Sequence, residues 1–146
     1  MTSRFQPPPI IKAAERLLDE IEKAVRQFPR YHRYAVGADL RRQAMAVNIN
    51  ANRAWRDREY QAALVGQLVW DIDALKQYLQ AAMRLRAFNS FRRFEMLARL
   101  AHELGAQAGG WNRRFSTPNA QNAQANGVAQ RGEKLSTRTA PARANS

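Results

Sequence analysis

Ile10-Ile11-Lys12-Ala13-Ala14-Glu15-Arg16-Leu17-Leu18-Asp19-Glu20-Ile21-Glu22-Lys23-Ala24-Val25-Arg26-Gln27-Phe28 decides the fold class. Its apolar residues are Ile10, Ile11, Ala14, Leu17, Leu18, Ile21, Ala24, Val25 and Phe28. They recur at three and four residues, which puts them on one face of an amphipathic helix. Pro29 ends the pattern, because it lacks a backbone donor and disfavours helical geometry at Phe28. Upstream, Pro7-Pro8-Pro9 predicts a stiff, non-helical arm over residues 1–9.

The same period returns three more times. Tyr34, Gly37, Leu40, Ala44, Val47, Ala51 and Ala54 form a seam of small residues that lets a second helix approach a neighbour closely. Its other face carries Arg41, Arg42, Asn48, Asn52 and Arg56. A charged break at Asp57–Glu59 precedes a third helix, expected from about Glu59 to Phe88. Its stripe is Tyr60, Ala63, Leu64, Leu68, Ile72, Leu75, Tyr78, Leu79, Ala82 and Leu85. Asn89-Ser90 predicts a loop with Ser90 as an N-cap, whose side-chain oxygen accepts from free backbone donors. Phe91, Phe94, Leu97, Ala98, Ala101, Leu104, Ala108 and Trp111 mark the fourth helix. No strand pattern competes. The expectation is an all-α, antiparallel up-and-down four-helix bundle over residues 10–115. From Ser116 the chain is rich in Asn, Gln, Ala, Ser and Thr. A disordered, polar, basic tail is expected over residues 116–146.

Composition narrows the chemistry. The 146 residues include 24 Lys+Arg against 12 Asp+Glu, a net charge of +12. Such a surface suits an acidic partner, with nucleic acid first. There is no cysteine, which excludes disulfides and thiolate metal sites. His32 and His102 are the sole imidazoles, with no nucleophile or carboxylate constellation in the sequence. Asp71 and Asp73 lie two apart on a helix and point about 200° apart, so they do not converge on metals. Asp73 and Lys76 have the spacing of an ion pair. No enzyme activity, metal or cofactor is expected. No apolar run approaches the roughly 18 residues of a membrane span, and a cytoplasmic protein is the simplest expectation.

Three stretches together carry a resemblance. They are Phe28-Pro29-Arg30-Tyr31-His32-Arg33-Tyr34-Ala35-Val36-Gly37-Ala38-Asp39-Leu40-Arg41, then Leu75-Lys76-Gln77-Tyr78-Leu79-Gln80-Ala81-Ala82-Met83. The third runs from Asn89-Ser90 through Phe94-Glu95 to Leu104-Gly105 and Gly109-Gly110-Trp111. In this order they resemble the four-helix-bundle proteins that include the accessory variability determinant of diversity-generating retroelements. Proteins encoded by intervening sequences in bacterial 23S ribosomal RNA genes share that superfamily and are the alternative. The resemblance implies a barrel-like homopentamer that binds a reverse transcriptase and its template RNA and supports error-prone cDNA synthesis. Two local departures are the basic Arg84-Leu85-Arg86-Ala87-Phe88 and Ala106-Gln107-Ala108 ahead of Gly109-Gly110-Trp111.

Arginine suits phosphate, because its planar fork contacts oxygens in pairs. The candidate contacts to template RNA or an RNA–cDNA hybrid are Arg30, Arg33, Arg41, Arg42, Arg53 and Arg56. Arg84, Arg86, Arg92 and Arg93 join them around the loop between the third and fourth helices. Arg33 and Arg41 also have a structural reading, since they fall within the first motif. Arg113 and Arg114 either bind phosphate or complement the helix dipole. Val69, Trp70 and Trp55 are expected at a subunit or partner interface, against the alternative of a wider core-facing arc. Gly37, Ser90, Gly109, Gly110 and Trp111 are expected to be structural. Trp111 would pack over the bundle end in preference to stacking on a base. A helical oligomer that binds no nucleic acid is the remaining alternative.

Overall fold

Residues 6–116 are described by the structure, a computed structural model. Pro8 is extended (φ −64°, ψ 160°) and acts as N-cap, and α1 (Pro9–Arg26) opens on Pro9. Proline is tolerated there because the first helical N–H has no partner to lose. Pro9, expected in the arm, therefore belongs to the helix, and residues 1–5 of the expected arm lie outside the described residues. Ile10, Ile11, Ala14, Leu17, Ile21, Ala24 and Val25 are buried along α1.

Pro29 does more than stop a helix. It is the N-cap of a single turn, α2 (Arg30–Arg33), that leads into α3 (Val36–Arg56). Gly37 lies where α3 meets the end of α1. A Cβ there would stand 2.8 Å from Val25 Cγ1 and 3.0 Å from the His32 carbonyl oxygen. Leu40, Ala44, Val47, Ala51 and Ala54 are buried along α3. Gln61 Nε2 donates to the Ala54 carbonyl oxygen at 2.9 Å, satisfying a free acceptor at the end of α3. Tyr60 N donates to Asp57 Oδ1 at 3.2 Å within the intervening turn.

α4 (Gln61–Arg84) is shorter than the expected segment at both ends. It closes with Ala87 N donating to the Ala82 carbonyl and Arg86 N to the Met83 carbonyl, at 2.9 and 3.0 Å. This is a Schellman closure, whose left-handed position normally takes glycine. Here Arg86 occupies it, at φ 62°. Leu85, expected in the apolar stripe, is exposed as a result of the early stop, whereas Ala87 is buried. Val65 takes a core place that the expected stripe omitted, and Tyr60 is exposed. α5 (Phe91–Arg114) completes the set.

Cross-helix contacts fix the directions. Arg41 meets Glu22 and Asn48 meets Ala14, so α1 and α3 run antiparallel. Gln43 reaches the Asp71 carbonyl and Gln61 reaches Ala54, which sets α4 antiparallel to α3. Arg93 of α5 meets Glu20 of α1. The described residues thus form an all-helical bundle of four long helices, with no strand. Leu17, Ile21, Leu40, Leu68, Ile72, Leu75, Leu79, Leu97 and Leu104 are buried in one cluster. Each such side chain removed from water contributes about 1.5–3 kcal/mol before entropy is counted. The bundle unit ends at Asn112. The tail expected over residues 116–146 lies outside the described residues, apart from Ser116. No helix among the described residues is long and apolar enough to cross a membrane.

Candidate nucleic-acid interface

The hairpin geometry gathers Arg30, Arg33, Arg84, Arg86, Arg92 and Arg93 at one end of the bundle. That end holds the close of α1, all of α2, the start of α3, the α4–α5 loop and the start of α5. Its floor is aromatic. Phe28 packs edge-on against Phe88 at 5.0 Å between centroids, and Phe88 against Phe94 at 5.6 Å. Phe28 is buried, and Phe88 packs against the core. Ser90 Oγ accepts from Arg93 N at 3.2 Å and fixes the first turn of α5. No acid stands in that first turn, so the positive end of the helix dipole adds to the local field.

The acids near this end are largely taken up by particular arginines. Glu22 accepts from Arg41 Nε at 2.7 Å and Arg41 Nη2 at 3.2 Å, and also from Arg26 at 3.2 Å. The Arg41 hydrogen bonds hold the Glu22 carboxyl below its usual range. Glu20 meets Arg93 at 3.3 Å and Lys23 at 3.4 Å. Asp39 meets Arg42 at 2.7 Å. Arg41, Arg42 and Arg93, all candidate phosphate contacts, thus each have a carboxylate partner, with Arg42 still largely exposed. Arg33 is also tied down. Its Nη2 donates to the Phe28 carbonyl at 3.4 Å, and its Nε is buried without a partner among the described residues.

What remains at this end is Arg30, Arg84, Arg86 and Arg92, exposed and without an ion pair among the described residues. Glu95, exposed one turn into α5, is likewise unpaired there. The same end carries three exposed aromatic rings, of which Tyr34 and Phe91 belong to the expected apolar stripes. Tyr31 is 80% exposed, Tyr34 68% and Phe91 58%. The clue was present in Arg30-Tyr31-His32-Arg33-Tyr34, where basic and aromatic residues alternate.

The opposite end carries Arg53 and Arg56. They line an open groove on α3 with Met45, Ile49 and Asn52, and the Arg56 guanidinium lies 5.6 Å from the Trp55 ring centroid. Asn48, expected on the solvent face, is instead buried. Its Nδ2 donates to the Ala14 and Ala44 carbonyls at 2.9 and 3.0 Å. Arg113 and Arg114 occupy the last turn of α5, beyond the bundle unit.

The expected interface residues separate. Val69 and Trp55 are partly buried and pack against the core, as does Trp111. Trp70 is 70% exposed and lines a shallow groove on α4 with Ala74, Gln77, Ala81 and Arg84. Gly109 and Gly110 are partly buried in α5, beside Trp111. Asp71 accepts from Asn50 at 2.5 Å and Gln67 at 2.9 Å, while Asp73 lies 3.9 Å from Lys76. The two carboxylates thus have different partners. Among the described residues, no three His, Cys, Asp or Glu side chains gather into a metal-binding group.

Comparison with known proteins adds no relative: no family model, curated protein or solved structure matches the chain.

Proposed function

We propose that this chain is a non-enzymatic accessory protein of a diversity-generating retroelement. It holds template RNA or the RNA–cDNA hybrid by phosphate contacts while a reverse transcriptase supplies the catalysis. The observation that carries the nucleic-acid part is the end bearing Arg30, Arg84, Arg86 and Arg92, where neighbouring acids are largely paired with other cations. The choice of partner follows from the sequence resemblance. Phosphate contacts of this kind position a strand without reading its bases.

The barrel-like homopentamer belongs to the same proposal. Two apolar features on separate flanks support it. Gln43 and Asn50 mark the side of α3 that faces α4. Helical geometry puts Met45 and Ile49 on its other flank, where both are exposed. Trp70 stands out from α4. Different patches that meet head to tail generate a ring when the rotation closes, and a ring multiplies weak phosphate contacts by avidity.

Co-purification with the reverse transcriptase encoded beside it, with mass from light scattering, tests the assignment. A pentamer in complex with the enzyme is expected; a monomer that ignores the enzyme overturns it. Four phosphate contacts per protomer on a single strand give a log–log salt slope near about −3. That is roughly a fiftyfold loss of affinity between about 50 and about 200 mM salt. Affinity that stays flat over this range removes the nucleic-acid role.

A further inference from the structure

Proteins that hold nucleic acid by charge alone need only exposed cations. This bundle end also exposes three aromatic rings, each steadied on one side. Tyr31 meets His32 edge-on at 5.3 Å. The Arg33 guanidinium lies 6.0 Å from the Tyr34 ring centroid. Phe91 rests at a tilt on the buried Phe94, at 5.8 Å. Three exposed rings at one end of a bundle with a well-filled core point to a binding surface there.

We propose that this end selects unpaired bases, with Tyr31, Tyr34 and Phe91 as stacking surfaces and Arg30, Arg84, Arg86 and Arg92 as phosphate contacts. The proposal rests on the nucleic-acid reading above and adds the strand state of the ligand. A base in a duplex already has both faces covered, so a duplex offers the arginines its phosphates and the rings nothing. An unpaired base has a free face, and stacking on an aromatic side chain is tolerant of sequence. Charge complementarity brings either form to this end, and the rings discriminate between them.

The test uses the full chain, a labelled oligo(dT) and a mixed-sequence duplex of equal nucleotide length. In Tyr31→Ala/Tyr34→Ala/Phe91→Ala, oligo(dT) binding should weaken about tenfold or more. Duplex binding should stay within about twofold, and the salt slope should not change, because no counterion release is lost. Arg84→Gln/Arg92→Gln should weaken both probes and lower the slope by about 0.7 per arginine on oligo(dT). If the triple variant loses helical circular dichroism, Tyr31→Ala alone serves, since it removes one exposed ring. Equal losses on both probes, or no loss on oligo(dT), overturn the stacking role and leave the phosphate role standing. Unchanged oligo(dT) binding with lost reverse-transcriptase capture reassigns the rings to a protein partner. Failure of the unmodified chain to bind either probe defeats the nucleic-acid reading itself.

Discussion

Asn48 of α3 donates to the carbonyl oxygen of Ala14 in α1 at 2.9 Å, inside an otherwise apolar seam. A second bond to Ala44 satisfies the other amide hydrogen. A buried amide of this kind favours one register, because sliding the helices leaves it unpaired. Asn48→Ala should lower stability by about 1–2 kcal/mol in urea denaturation. Asn48→Leu tests the register role: an unchanged near-ultraviolet circular dichroism spectrum would refute it.

Gly37 and Gly66 should respond oppositely to alanine. At Gly37 the new methyl meets Val25 and the His32 carbonyl, so overpacking should cost about 1–3 kcal/mol. At Gly66, within α4, the nearest atom outside the adjacent helix backbone is Asn112 Oδ1 at 3.9 Å. Gly66→Ala should therefore gain about 0.5–1 kcal/mol from helix propensity. Paired thermal melts decide this, and a destabilised Gly66→Ala would contradict the packing.

Arg86 adopts φ 62° where glycine would serve. Arg86→Gly should relieve the left-handed strain while giving back some unfolded-state entropy, leaving stability unchanged or raised by up to about 1 kcal/mol. Nucleic-acid affinity should nevertheless fall, and Arg86→Lys should retain most of it. A variant as tight-binding as the parent would show that the guanidinium has no role in phosphate contact.

Glu22 carries a pH signature. Its folded carboxyl titrates below its usual range because Arg41 bonds to the charged form. The associated stability is present above the unfolded value of about 4.3 and disappears as pH falls through the lower folded value. The pair is about a third exposed, so its contribution should stay below about 1 kcal/mol. Arg41→Gln should raise the Glu22 midpoint in a carboxyl NMR titration and flatten the acid limb of stability. An unmoved midpoint would remove Arg41 as its cause.

Burial of one helix face is a local demand, so Leu17, Leu40, Leu75 and Leu104 announce the bundle through spacing alone. Asn48 misleads because its partner, Ala14, is supplied by another helix. The pairing of Arg41 and of Arg93 is hidden for the same reason. Their carboxylates lie 19 and 73 residues away, and a sequence shows which charges exist without showing which are already matched. Phe91 and Leu85 fail at helix ends, where the periodic stripe runs on after the core has stopped. Arg86 gives no sign of its turn, since a left-handed cap without glycine has no compositional mark.

The Phe28–Phe88–Phe94 packing has a further consequence. It ties the α4–α5 loop to the core in the folded chain. On the proposed nucleic-acid reading, the segment bearing Arg84 and Arg86 need not surrender conformational freedom on binding. Encounter can then be governed by diffusion and electrostatic steering instead of a slow ordering step.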